Sequence, residues 1–198
     1  YRIRPKVPGL NRGVVPWHQD SGYIAPHCDG SVIVTCWIPL VDATVENGCL
    51  CVLPDVHKSG IVRHHTGGNA GYLVIKDNDL PPGSVLPVPV KRGGVLLMTN
   101  MTPHCSTVNH TDVIRWSIDL RYQSRGVPNN LAVDTPEDIT ADHPDIHIAC
   151  YAPEGDFVVR SYNAPDSVAT YAEFVRRRNL FENARISSPS LNRGWQPV

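Results

Sequence analysis

Residues 93–122 read GGVLLMTNMTPHCSTVNHTDVIRWSIDLRY, and two strand signals lie inside this stretch. Gly93-Gly94 opens the short apolar run VLLMT, and residues 113–122 alternate between apolar and polar side chains. Side chains on a strand point to opposite faces in turn. Trp116, Ile118, Leu120 and Tyr122 therefore share one face, and Arg115, Ser117, Asp119 and Arg121 share the other. Between the runs stands His104. A hairpin turning at Asn109-His110 would set His104 opposite Arg115 and Ser106 opposite Val113. His104, Ser106 and Arg115 would then lie on one face, with opposed Cβ atoms about 5 Å apart. A polar row in that position suits the lining of a cavity.

Working outward, SVIVTCWIPLV (31–41) is rich in β-branched residues, and GCLCVLP (48–54) follows the Asn47-Gly48 turn signal. Short strands separated by Gly, Pro, Asn and Asp clusters predict a mainly β chain with an antiparallel sandwich or barrel. Residues 59–92 form a long Gly/Pro-rich stretch, and a connection of that length is a candidate lid. Pro165-Asp166-Ser167 followed by VATYAEFVRRRNLF predicts a C-terminal helix, with Arg176, Arg177 and Arg178 as its solvated end. No repeat or linker divides the chain. The expectation is one domain over 1–198, with a core at about 14–123 and an extension of loops and helix at 124–198.

Composition narrows the function classes. The 198 residues carry 18 basic and 19 acidic side chains, a formal charge of −1, and 41% are hydrophobic. That balance excludes a nucleic-acid or membrane-surface footprint built on clustered basic residues. Gly and Pro together make up about one residue in six, which favours turns without reaching a disordered composition. No apolar run approaches the ~18 residues of a membrane span. The first residues, YRIRPKVPGL, lack a signal-peptide pattern and a Met, so a piece of a longer cytoplasmic chain is expected. The six cysteines have no CxxC spacing and are expected to be reduced and mostly buried.

Nine histidines direct attention to metal ligation. Four His-x-Asp pairs occur: His18/Asp20, His27/Asp29, His110/Asp112 and His143/Asp145. Fewer than one is expected by chance, but only context separates them. His143-Pro144-Asp145 reads as a turn, His110-Thr111-Asp112 as a hairpin tip, and PHCDGS (26–31) as a Gly-flanked turn. His18/Asp20, between Pro16-Trp17 and the next apolar strand, is the pair best placed to face a sheet interior. With His104 from a distant strand it makes two imidazoles and one carboxylate, the facial arrangement of non-haem Fe(II) oxygenases. Such iron commonly uses a 2-oxo acid, whose far carboxylate suits a guanidinium and a hydroxyl. Arg115 and Ser106 are those groups.

WHQDSGY (17–23), ENGCLCVLPDVHKSG (46–60) and the 93–122 block together resemble the phytanoyl-CoA dioxygenase family over about residues 14–123. The resemblance implies a double-stranded β-helix core of jelly-roll or cupin-like type, and Fe(II), 2-oxoglutarate and O2 as cofactor and cosubstrates. It implies His18, Asp20 and His104 as iron ligands and Arg115 as the partner of the distal 2-oxoglutarate carboxylate. Ser106 matches the family's hydroxyl, Trp37 an aromatic bordering the cosubstrate, and Gln19 a residue that contacts cosubstrate or substrate. The implied reaction is hydroxylation of an unactivated C–H of a small molecule, with release of succinate and CO2. Asp20 fits hydroxylation, since related halogenases lack this carboxylate. Family members carry further sequence ahead of the first motif, expected to lie outside this chain. Two other readings remain: a barrel that binds without catalysis, and a cupin-like metalloenzyme using another metal. The intact ligand set with Arg115 speaks against the first, and the second leaves Arg115 and Ser106 without a role.

Overall fold

A computed structural model of the chain describes residues 2–24, 26–123, 172, 175 and 193–198. Among the described residues there are nine strands: β1 (Arg2–Lys6), β2 (Ile33–Pro39), β3 (Leu50–Val52), β4 (His65–Thr66), β5 (Leu86–Val88), β6 (Leu96–Thr99), β7 (His104–Ser106), β8 (Arg115–Gln123) and β9 (Gln196–Pro197). They form an antiparallel four-stranded sheet in the order β1-β8-β2-β6, an antiparallel three-stranded sheet in the order β5-β3-β7, and the parallel pair β4-β9. The four strands expected at 31–41, 48–54, 93–99 and 113–122 are all present, as β2, β3, β6 and β8. The predicted C-terminal helix falls outside the described residues, apart from Ala172 and Val175, both helical.

The sheet begins earlier than residue 14. Arg2–Lys6 pairs with β8 along its length, with Lys6 opposite Arg115. Pro5 lacks an N–H, which an edge strand tolerates and a central one does not. β8 is central, with β1 on one side and β2 on the other.

The hairpin expected over residues 104–121 does not form. β7 pairs with β3 in the small sheet, placing His104 opposite Val52 and Ser106 opposite Leu50, while β8 lies in the large sheet. His104 is therefore not opposite Arg115, and His110-Thr111-Asp112 is part of a crossover between sheets instead of a hairpin tip. The physical reason lies in Asn109. Its buried Nδ2 donates to the carbonyls of Lys6 (2.9 Å) and Val113 (2.7 Å), and its Oδ1 accepts from the backbone and hydroxyl of Thr111. These bonds tie the connection to β1, and both edges of β8 are already filled.

Core packing joins the two sheets. Trp37 and Met98 from the large sheet cluster with Leu50 and Val52 from the small one and with Cys49 just ahead of β3. Burial alternates along β2, with Ile33, Thr35, Trp37 and Pro39 inward. On β8, Arg115, Ser117 and Asp119 are buried while Trp116 and Tyr122 are exposed. The polar row of β8 thus faces the interior. Cys28, Cys36, Cys49, Cys51 and Cys105 are free thiols.

The 59–92 stretch is tied down at several points. His64 and His65 are buried, and His65 exchanges backbone bonds with Val74. His65 Nε2 also meets Asp79 at 2.7 Å. β9 lies beside β4, and Val198 N–H donates to the Thr66 carbonyl at 2.9 Å.

Candidate metal and cosubstrate site

Residues 15–18 run beside β7. His18 and His104 exchange both backbone hydrogen bonds, at 3.0 and 2.9 Å. This pairing brings the two rings to a centroid separation of 4.2 Å. Just past His18 the chain turns through a short 3-10 segment, Asp20–Tyr23, which folds the Asp20 carboxylate back toward the rings. One ligand atom each from His18, Asp20 and His104 lies within 4.8 Å of the others, and all three residues are buried. Among the described residues this is the one such group.

The protonation pattern suits a cation. His18 Nδ1 meets the Pro16 carbonyl and His104 Nδ1 the Thr102 carbonyl, each at 2.9 Å. A carbonyl can only accept, so Nδ1 carries a proton in both rings, which leaves Nε2 as the ring nitrogen open to a metal. Burial, reinforced by His104, pushes the His18 pKa down to about 3, so the ring stays neutral. Burial would raise the Asp20 pKa, but the Arg121 guanidinium outweighs it and holds the carboxyl well below its ordinary range. Arg121 grips both Asp20 oxygens, and Thr35 Oγ1 donates to Oδ2 at 2.6 Å. A carboxylate held ionised beside the neutral His18 ring and the buried His104 ring is a donor set suited to a divalent metal.

Arg115 is 3% exposed. Its Nη1 donates to Ser117 Oγ and its Nη2 to the Gly48 carbonyl, both at 2.9 Å. Its Nε has no partner among the described residues. The guanidinium carbon stands over the Trp37 ring, 5.1 Å from its centroid, within cation–π range. Asp119, the neighbouring acid on β8, is already ion-paired with Arg4 at 2.5 Å. Arg115 is thus a buried cation with spare donors, and the arrangement fits a carboxylate ligand. Burial lowers its pKa to about 10, which leaves it charged at neutral pH.

Ser106 Oγ accepts from Lys6 Nζ at 2.8 Å and from the Val15 N–H at 3.2 Å. Gln19 is fully buried, and its side chain serves the protein itself. Its Nε2 donates to the carbonyls of Gly60 (2.9 Å) and Met101 (2.7 Å), and its Oε1 accepts from Val62 N–H at 2.7 Å. His64 lies behind the motif. Its Nδ1 donates to the Val62 carbonyl at 2.6 Å and its Nε2 accepts the Gln19 backbone N–H at 2.9 Å. Gly22 leaves room for this ring, since a Cβ there would sit 2.7 Å from His64 Nε2. The Trp195 ring packs against His64 at a tilt, with centroids 5.3 Å apart, and donates to the Gly22 carbonyl at 3.0 Å, while Arg193 is ion-paired with Asp29.

Sequence reasoning did not find Lys6, Thr35, His64 or Trp195. Arg2, Arg4 and Lys6 alternate, a legible strand signal, and Thr35 shares parity with Trp37. No local pattern points to His64 or Trp195.

Among the described residues no helix is long and apolar enough to cross a membrane. Phytanoyl-CoA dioxygenase domain-containing protein 1 of Danio rerio is 34% identical over 115 residues, covering 56% of this chain and 39% of that protein. Methylphosphonate hydroxylase of Gimesia maris is 30% identical over 126 residues, covering 62% and 44%. The chain spans less than half the length of these curated relatives. The crystal structure of EvdO2 from Micromonospora carbonacea var. aurantiaca complexed with 2-oxoglutarate superposes with a TM-score of 0.51 at 28% identity, covering 63% of this chain and 52% of that one. The non-heme monooxygenase ThoJ shares the fold at a TM-score of 0.53 and 20% identity, over 92% of this chain and 65% of its own. The phytanoyl-CoA dioxygenase (PhyH) family profile matches residues 2–117, more than half the chain, and the chain belongs to that family.

Proposed function

We propose that this chain is the catalytic core of an Fe(II)- and 2-oxoglutarate-dependent dioxygenase that hydroxylates an unactivated C–H bond of a small organic substrate. The observation that carries the reading is the buried convergence of His18, Asp20 and His104. The two facing sheets are read as a double-stranded β-helix. The His18 and His104 Nε2 atoms and an Asp20 oxygen hold the iron, with the Nδ1 bonds to Pro16 and Thr102 fixing both ring orientations. Arg115 binds the distal carboxylate of 2-oxoglutarate, packed over Trp37 and held in position by Gly48 and Ser117. Ser106 supplies a hydroxyl to the same carboxylate. Gln19 clamps the His-x-Asp turn to residues 60–62. When bound, iron and 2-oxoglutarate supply the oxidation of the C–H bond by O2, with release of succinate and CO2.

Fe(II) followed by 2-oxoglutarate, added to metal-free protein without oxygen, tests the site. The expected result is a saturable visible charge-transfer band, lost in His104→Ala. Tight iron binding with no band would sink the 2-oxoglutarate assignment. The band in the wild-type chain would justify a screen of small-molecule substrates by succinate release.

A further inference from the structure

Beside Arg115 lies a second buried cation. Lys6 is 3% exposed and is the strand partner of Arg115 across β1 and β8, so both side chains project from neighbouring positions into the interior. Its Nζ is within hydrogen-bond distance of three oxygens: the Gly13 carbonyl at 2.9 Å, the Thr107 carbonyl at 2.5 Å and Ser106 Oγ at 2.8 Å. An ammonium has three protons and no lone pair, so all three contacts are donations. No carboxylate pairs with Lys6 among the described residues.

These bonds decide what Ser106 can do. Its oxygen already accepts two hydrogen bonds, from Lys6 and from Val15 N–H. A hydroxyl oxygen has two lone pairs, so its remaining capacity is the proton. Among the described residues that proton has no acceptor. We infer that Lys6 is a positioning residue for the cosubstrate: its ammonium holds Ser106 as a hydrogen-bond donor and, with Arg115, gives the pocket two buried positive charges for a dicarboxylate's distal group. This rests on the dioxygenase reading above. Gly48 is part of the same arrangement, because a Cβ there would meet Lys6 Cδ at 2.6 Å and the Thr107 carbonyl at 2.5 Å.

Electrostatics supports the coupling. Burial, then the charge of Arg115 with a smaller push from Arg4, lowers the Lys6 pKa to about 7, against the opposing pull of the Cys105 and Cys49 thiols. A bound carboxylate favours the ammonium. Both carboxylates of 2-oxoglutarate stay ionised above neutral pH, so a pH effect there reports on the protein.

The test is 2-oxoglutarate titration of the Fe(II)-saturated chain without oxygen, read by the charge-transfer band from pH 6.5 to 8.5. Wild type should bind more weakly as pH rises through about 7. Lys6→Met and Ser106→Ala should each weaken binding about tenfold, the size of one charge-assisted hydrogen bond. The double variant should lose little more than Lys6→Met alone, and Lys6→Met should lose the pH dependence. Wild-type affinity that is flat across this range, Lys6→Met binding as tightly as wild type, or fully multiplied losses in the double variant would each overturn the inference while leaving the dioxygenase reading intact. The wild-type profile decides even if Lys6→Met does not fold. Absence of a band in wild type would overturn both.

Discussion

Arg115 is the residue on which the proposed cosubstrate assignment can be tested most directly. Isolating a guanidinium in the interior costs several kcal/mol unless an anion arrives, and its nearest acid, Asp119, serves Arg4. Arg115→Ala should therefore raise the 2-oxoglutarate KM tenfold or more and leave kcat at saturation within a few-fold, measured by succinate release. Arg115→Lys should not restore it, because an ammonium neither stacks on Trp37 nor offers paired donors. Thr35 acts at one remove. Its hydroxyl anchors Asp20 Oδ2, and supporting bonds of this kind are worth about 10–100-fold in metal affinity. Thr35→Val should weaken Fe(II) binding by about tenfold in a metal competition titration, with little change in the unfolding midpoint.

Elements place these groups where single residues cannot. The alternation of β8 was legible in RWSIDLRY, and its polar face does line the interior, but the partners of β8 were not legible. Adjacent strands suggested a hairpin, and that local preference lost to pairing with β1 and β2, which covers both edges of β8. Parity survived the error because the face a side chain takes depends on its own strand, while its neighbour depends on the sheet. Gly48 marks the element boundary where the consequence is largest. Its φ of +77° lies in the left-handed region, and a Cβ would collide with Thr107 and Lys6. Gly48→Ala should destabilise the chain by about 2 kcal/mol or more, read as a lowered urea midpoint, and should weaken 2-oxoglutarate binding through the displaced carbonyl that holds Arg115.

At the scale of the whole molecule, His64 joins three distant parts: residues 60–64, the His-x-Asp turn and the C-terminal Trp195. Burial pushes its pKa down to about 4, below the ordinary 6.5, so the unfolded chain takes up protons that the folded one refuses. Its contribution to stability is complete above pH 6.5 and is lost as pH falls toward 4. His18 shares the sign of this shift. Metal-free protein should lose about 1.4 kcal/mol per pH unit for each such histidine well below pH 6.5. Urea midpoints between pH 7 and pH 5 measure this, and His64→Gln should flatten the slope. An unchanged slope would show that His64 titrates normally. Trp195→Ala should lower the midpoint at all of these pH values, since it removes the ring packed against His64 and the bond to the Gly22 carbonyl.

The sequence by itself determined the mainly β character and the positions of four main strands, and it singled out His18, Asp20, His104 and Arg115, the residues on which the proposed site rests. Strand parity, turn chemistry and metal-donor type are local properties, carried by a few neighbouring residues. Only the tertiary structure decided that β7 and β8 lie in different sheets, that β1 supplies Lys6, and that Gln19 and His64 brace the site. Those outcomes depend on which strand edges are free and which polar groups meet when two sheets close. Lys6 and Ser106 stand 100 residues apart, and no pattern along the chain announces that they touch.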